Sequence, residues 1–377
     1  MPDDDRWEQL DHLIKESSSL IDIFSNVSPT QESLEAQKQQ FLDGEIDEPS
    51  FTYDSLDFDP DELQERLEET AVPDSAVGTL YQKTIKELKD KADILKHRGD
   101  DDVVRDRVQE IYGKPDDDLV TYAKEILATT TPTDTKETEI EPDEARTVFD
   151  VALDKMGMDD WETTYTDKAT LSVKTADKQV KVPADREYEQ TEPIRLAIHE
   201  LLHAARSANG YQQDHDIFGI GVAGYQDTDE GLAIFLEEQT GFEDEQTLRK
   251  YAARVLVTNN VMEGKSFRET FEMLHDEYDI DEDNAFQYTA RGYRAGGFAK
   301  DHIYLQGYRK VKEYVEAGGS LDDLYTGKIP LESVESGQLD EIEGLEDPTY
   351  DHQALDKGLE PLFEDTQDEY QTETEEE

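Results

Sequence analysis

A chain in which 94 aspartates and glutamates face 37 lysines and arginines carries a formal net charge of −57 over 377 residues. It can fold only if most of that charge stays in water and its self-repulsion is screened. Salt provides the screening, with a Debye length of about 3 Å at 1 M. The simplest expected setting is therefore the cytoplasm of a salt-accumulating organism. The same balance excludes partners. Nucleic acid demands a basic stripe, and the sequence has none. An anionic membrane surface would repel the chain. No stretch approaches the roughly 18 consecutive apolar residues of a membrane span. Met1 to Leu10 is acidic and polar, unlike a secretory signal. Cysteine is absent, which excludes disulfides, thiolate metal sites and cysteine nucleophiles.

High charge can also mean disorder, but 18 tyrosines, 13 phenylalanines and helical apolar spacing argue for a folded chain. Leu10, Leu13, Ile14, Leu20, Ile21 and Phe24 predict a helix pair broken at Ser17-Ser18-Ser19. Asp59-Pro60 predicts a helix start. Val77, Leu80, Tyr81, Ile85, Leu88, Ala92 and Leu95 predict a long helix from Ala76 to His97. Tyr112-Gly113-Lys114-Pro115 is a break, followed by a helix to Leu127. Thr129 to Asp143 reads as a linker and Pro142 to Met156 as a helix. Residues 161–165, 169–173 and 179–182 read as strands, with Ala176-Asp177 as a hairpin turn. Helices then resume after Glu192. The expected class is α+β, mostly helical, with a small sheet preceding an active-site helix. The expected organisation is a helical N-terminal region (1–128), a linker (129–143), a catalytic domain (144–345) and an acidic, disordered tail (346–377).

The chemistry is concentrated in His199-Glu200-Leu201-Leu202-His203, an H-E-x-x-H pattern. On a helix, residues four apart share a face, so both imidazoles can reach one Zn²⁺ at about 2.0–2.1 Å. Glu200 is then placed to act as general base toward water at the metal. Thr191 is a candidate cap, Pro193 sits in the first turn, and Asn209-Gly210 is a stop. The bland alternative is two surface histidines on an amphipathic helix.

A catalytic zinc needs a third protein ligand and an open position. In zincins whose third ligand is a glutamate, that residue lies on a later helix. Thr228-Asp229-Glu230-Gly231-Leu232-Ala233 starts such a helix. Glu230 is the first choice and Asp229 the second, although acids in a first helical turn are favoured by the dipole alone. Glu237, seven residues beyond Glu230, suits the role of holding a ligand histidine.

These residues carry a resemblance. Asn209-Gly210, Thr228-Asp229-Glu230-Gly231-Leu232-Ala233, Arg291-Gly292, Gly297-Phe298-Ala299-Lys300-Asp301 and Tyr304-Leu305-Gln306-Gly307 occur in that order. Tyr112-Gly113-Lys114-Pro115 and Gly327-Lys328 extend the pattern. The chain resembles the DUF1704 family over about residues 10 to 345. Bacterial members are named for a "QEGLA" motif and for modulating flavohaemoglobin expression. Animal members are microtubule-associated tyrosine carboxypeptidases. The resemblance implies a zincin-like metallopeptidase domain, zinc held by His199, His203 and Glu230, and Glu200 as base. The chain departs from the pattern twice. It has H-E-x-x-H where the family typically has one more residue between the histidines, and D-E-G-L-A in place of Q-E-G-L-A.

A carboxypeptidase must also bind a free carboxylate, for which arginine and lysine are suited. Arg291 and Lys300 are the candidates, with Tyr304 and Tyr293 as donors to an oxyanion. Arg294 reads as a surface pair. Arg206 either binds substrate or pairs with a carboxylate. The strands at 161–182 offer an edge for an extended peptide. His215, His275 and His302 are not expected to be ligands. The leading expectation is a zinc-dependent metallopeptidase, in its narrower form a carboxypeptidase, acting on a peptide or protein C-terminus. The rivals are a non-catalytic regulatory or scaffold protein that retains the fold, and a zinc hydrolase of small non-peptide amides.

Overall fold

The computed structural model describes residues 3–131, 140–167, 171–174, 177–189, 191–242 and 244–359. Most of the expected linker, parts of the second strand and its turn, and residues 360–377 of the expected tail lie outside these. No described helix is long and apolar enough to cross a membrane. The chain is mostly helical with one three-stranded sheet. It divides into two compact units, each discontinuous in sequence.

Unit one comprises Met1–Thr133, Val222–Asp227 and Asp244–Gly307. Its first helices are α1 (Asp3–Ile21), α2 (Ile23–Val27), α3 (Gln31–Leu42), α4 (Pro60–Glu68), α5 (Ala76–Lys96), α6 (Asp101–Tyr112) and α7 (Asp117–Thr129). Side-chain caps start most of them: Thr30 accepts from Ser33, Asp59 from Asp61, Ser75 from Gly78 and Asp116 from Leu119. The three serines do not break α1. The helix runs through them to Ile21, and the change of direction falls at Asp22, whose φ is 21°. Ser17 is fully buried, so tertiary packing outweighs its weak helix preference.

The same chain then builds unit two, which comprises Asp134–Gly221, Thr228–Glu243 and Tyr308–Glu377. It opens with α8 (Pro142–Met156), β1 (Glu162–Thr166), β2 (Ser172–Lys174) and β3 (Gln179–Pro183). β3 is the central strand. It pairs parallel with β1, Thr163 opposite Val180, and antiparallel with β2, Val173 opposite Val180. Thr163, Val180 and Val182 are buried, following the two-residue alternation of a half-covered sheet. After β3 comes α9 (Glu192–Gly210), then α10 (Ile217–Ile220), α11 (Tyr225–Thr240), α12 (Glu245–Met262), α13 (Phe267–Glu272), α14 (Glu282–Gly297), α15 (His302–Glu316) and α16 (Leu331–Glu335). α12, α13 and α14 return to unit one.

That return is what the sequence division missed. Residues 244–307, expected within one catalytic domain, belong with the N-terminal helices. Phe41 of α3 packs against Phe267, Phe271 and Phe286 with ring centroids 5.0, 4.9 and 5.6 Å apart. Arg249 of α12 caps the end of α7 by donating to the carbonyls of Leu127 (2.8 Å) and Thr130 (2.7 Å). The expected tail also starts too early. Residues 352–359 are helical, with Leu355 and Leu359 buried. Gly358 packs where a Cβ would lie 2.6 Å from Met156 Cγ.

α9 is buried on nearly every side, Leu202 and Ala204 as completely as Ile198 and Leu201. Thr191 makes no side-chain cap, and Gly210 is not a left-handed stop. A Cβ there would lie 2.1 Å from the Phe218 carbonyl oxygen, so the glycine lets α9 and α10 touch backbone to backbone. Gly210→Ala is therefore expected to cost about 1–3 kcal/mol despite alanine's better helix propensity. A lower urea midpoint at unchanged m-value would report it; a rise in stability would contradict the packing.

Candidate metal centre

The α9 spacing turns His199 and His203 toward one point, their rings 4.9 Å apart and 83° inclined. Glu230, on α11, faces both. Its Oε2 lies 3.3 Å from His199 Nε2 and 3.8 Å from His203 Nε2. One donor atom from each residue lies within 4.8 Å of the others. Three donors about 2.0–2.1 Å from a tetrahedral ion stand about 3.3 Å apart, so the set needs little closing to hold zinc. It is the only group of three or more such donors among the described residues. His215, His275 and His302 belong to no such group.

The far side of each imidazole is also held. His199 Nδ1 lies 2.7 Å from Glu237 Oε1, and Glu237 is only 1% exposed. His203 Nδ1 lies 2.9 Å from Asp229 Oδ2. The hydrogen bond to Glu237 favours the Nδ1–H tautomer of His199 and leaves its Nε2 lone pair for a metal, while Asp229 stands beside His203 Nδ1 as a charge. Glu237, suggested by the sequence for holding a ligand histidine, lies against His199. Asp229, the second choice for third ligand, instead backs His203. Sequence reasoning missed that role because Asp229 and Glu230 are neighbours, and only the helix phase separates what they face.

The arginines come next. Arg206 is fully buried, and each of its three nitrogens is used. Nε donates to the Leu324 carbonyl (2.7 Å), Nη2 to the Ile329 carbonyl (2.8 Å), and Nη1 to Asp229 Oδ1. Of the two expectations for Arg206, pairing with a carboxylate is the one the geometry realises. Asn209 on α9 and Gln213 in the turn that follows it donate to the Tyr325 (2.7 Å) and Thr326 (3.3 Å) carbonyls. From α11, Thr228 Oγ1 accepts from Leu331 N at 2.7 Å. The loop 324–331 is therefore fastened to both helices that carry the donors. Arg195, which the sequence did not single out, has Nη1 3.4 Å from Glu237 Oε2.

The electrostatics follow. Burial alone would lower the His199 pKa, but hydrogen bonds and charges from Glu230 and Glu237 push it up to about 10. Burial would raise Asp229, yet the His203 and Arg206 charges hold it well below the usual carboxylate range. Glu200 is half-buried, and burial pushes its carboxyl up against the opposing pull of His199 and His203. Glu230 thus brings a carboxylate to the two imidazoles, while Asp229 and Glu237 are each matched by an arginine.

Arg291, Lys300 and Tyr304 lie in unit one and form a cluster of their own. Arg291 pairs with Asp301, and Arg254 Nε lies 3.8 Å from the same carboxylate. Lys300 is fully buried, its Nζ over the rings of Phe24 (4.5 Å), Tyr304 (5.2 Å) and Tyr112 (5.8 Å). Tyr304 stacks on Tyr251 at 5.0 Å. Arg294 is buried beside Phe298 rather than paired on the surface. Tyr293 is engaged with Thr270 and the Lys265 and Ser266 carbonyls.

Burial would raise Asp301, but Arg291, Arg254 and Lys300 hold it well below the carboxylate range. A depressed folded pKa gives stability that is present above the unfolded value of about 3.9 and lost as pH falls through the folded one. Asp301→Asn is therefore expected to flatten the decline of the urea midpoint below about pH 4. An unchanged slope would remove Asp301 from that role.

No curated protein matches the chain. A solved structure described as a candidate lipoprotein of unknown function from Shewanella oneidensis is similar at 13% identity. The match covers 74% of this chain and 70% of that one, with a TM-score of 0.46. The model of the microtubule-associated tyrosine carboxypeptidase family matches residues 39–364, and the chain belongs to that family.

Proposed function

We propose that the chain is a zinc-dependent metallopeptidase that removes residues from the C-terminal end of a peptide or protein. The reading is carried by the convergence of His199 Nε2, His203 Nε2 and Glu230 Oε2, with Glu200 following the first of them. Zinc held by these donors would supply Lewis acidity toward the scissile carbonyl and acidify an attacking water. The chain's own residues do the rest. Glu200 takes one proton from the water as its oxygen bonds to the carbonyl carbon. It passes that proton to the leaving amine nitrogen as the C–N bond breaks. Its burial favours the protonated form between those two transfers. Asp229 and Glu237 keep both imidazoles aimed.

The family name supplies the first substrate to try, a peptide ending in tyrosine. The strongly acidic surface supports assay in molar salt, where its repulsion is screened. Protein purified without chelator should contain about one zinc per chain. It should release tyrosine from such a peptide, and zinc chelation should stop the release. Absence of bound zinc would overturn the proposal. Zinc without C-terminal release would remove the carboxypeptidase half of it.

A further inference from the structure

Each donor histidine is backed by a carboxylate, and behind each carboxylate stands an arginine from the same helix as the histidines. Arg195 precedes His199 by one turn, and Arg206 follows His203 by three residues. Behind His203 stand Asp229 at 2.9 Å, then Arg206, held to Asp229 and to two backbone carbonyls. Behind His199 the contacts continue outward: Glu237, Arg195 at 3.4 Å, Glu192 at 3.7 Å from Arg195, and Arg186 bonded to Glu192. Glu237 Oε1 is occupied by His199, and its other oxygen faces Arg195. Glu237 is buried, so without the guanidinium that oxygen would face protein without a charged donor. The carboxylate would turn to find one and take the imidazole with it.

We propose that Arg195 is a positioning residue for the metal. Through Glu237 it fixes the orientation of His199, as Arg206 does for His203 through Asp229. The inference rests on the metal reading above. It assigns the two arginines different duties. Arg206 is part of the permanent framework, with no exposed surface and three bonded nitrogens. Arg195 lies 3.4 Å from Glu237 with its side chain 11% exposed, so the space it leaves opens to water and its removal costs the fold less. It is also linked through Glu192 to the segment that follows β3, so the aim of His199 depends on how that segment is seated.

The test is zinc affinity by chelator competition on the full-length chain, read beside circular dichroism and the melting temperature of the metal-free protein. Arg195→Met is expected to raise the zinc dissociation constant about 10–100-fold with the metal-free fold unchanged. Arg195→Lys should recover most of the loss, because the contact is chiefly one of charge. In a double-mutant cycle, Arg195→Met in the Glu237→Gln background should add nothing further. Wild-type affinity in Arg195→Met would overturn the proposal. So would additive losses in the double variant, or a loss that accompanies unfolding of the metal-free protein. A wild-type chain that binds no zinc would overturn the metal reading and this inference together. Zinc bound equally well by both proteins would overturn this inference alone.

Discussion

Glu200→Gln is expected to lower turnover on a C-terminal peptide about 10²–10⁴-fold, the range for loss of a general acid–base. Zinc content and zinc affinity should stay close to wild type. The two expectations separate because Glu200 is not among the three converging donors. The amide keeps the size and polarity of the carboxylate but cannot take a proton from water or return it to the amine. The loss should fall on kcat more than on KM, since the interaction operates in the transition state. Single-turnover rates at saturating peptide in molar salt would measure it. Retention of more than about a tenth of the wild-type rate would dismiss Glu200 as the base. A variant that lost its metal would mean that Glu200 helps to hold the site rather than to run the reaction.

Arg206→Met should have the largest effect on stability, about 3–5 kcal/mol, the cost of breaking a buried charge pair by removing one partner. Methionine nearly fills the volume, so the cost is not a cavity. It comes from leaving Asp229 without its buried cation and the Leu324 and Ile329 carbonyls without donors. Zinc should be bound more weakly as well, because Asp229 then loses its hold on His203. Urea unfolding of the metal-free protein isolates the first effect, and adding zinc exposes the second. A loss below about 1 kcal/mol would mean that water replaces the guanidinium and that the loop 324–331 is fastened by other bonds.

Much of the centre was legible in the sequence because helical geometry is local. H-E-x-x-H spacing fixes two imidazoles on one face with no knowledge of the rest of the chain, and Glu237 follows Glu230 by seven residues on the same helix. α8 likewise falls where Pro142 and Gly157 bracket it. What failed depends on partners distant in sequence. The helix phase that sends Asp229 to His203 and Glu230 to the centre is not fixed by two adjacent acids. Arg195 drew no attention because Glu237, the carboxylate it faces, lies 42 residues away on another helix. Arg206 was ambiguous because its partners at 324 and 329 lie well over a hundred residues away. The domain boundary failed for the same reason, since apolar periodicity says that a helix packs but not against which other.

The discontinuous first unit has a consequence for synthesis. A ribosome that has released the first 133 residues has made α1 to α7 but not α12, whose Arg249 caps the end of α7 from 122 residues away. Phe41 waits equally for Phe267, Phe271 and Phe286. α1, α4 and α6 can pack on α5 as they emerge, but α3 and α7 keep the faces that α12 to α14 cover open until about three hundred residues have been translated. During that interval the dense negative charge acts as the emerging chain's own solubiliser, keeping half-built molecules apart until the last helices arrive.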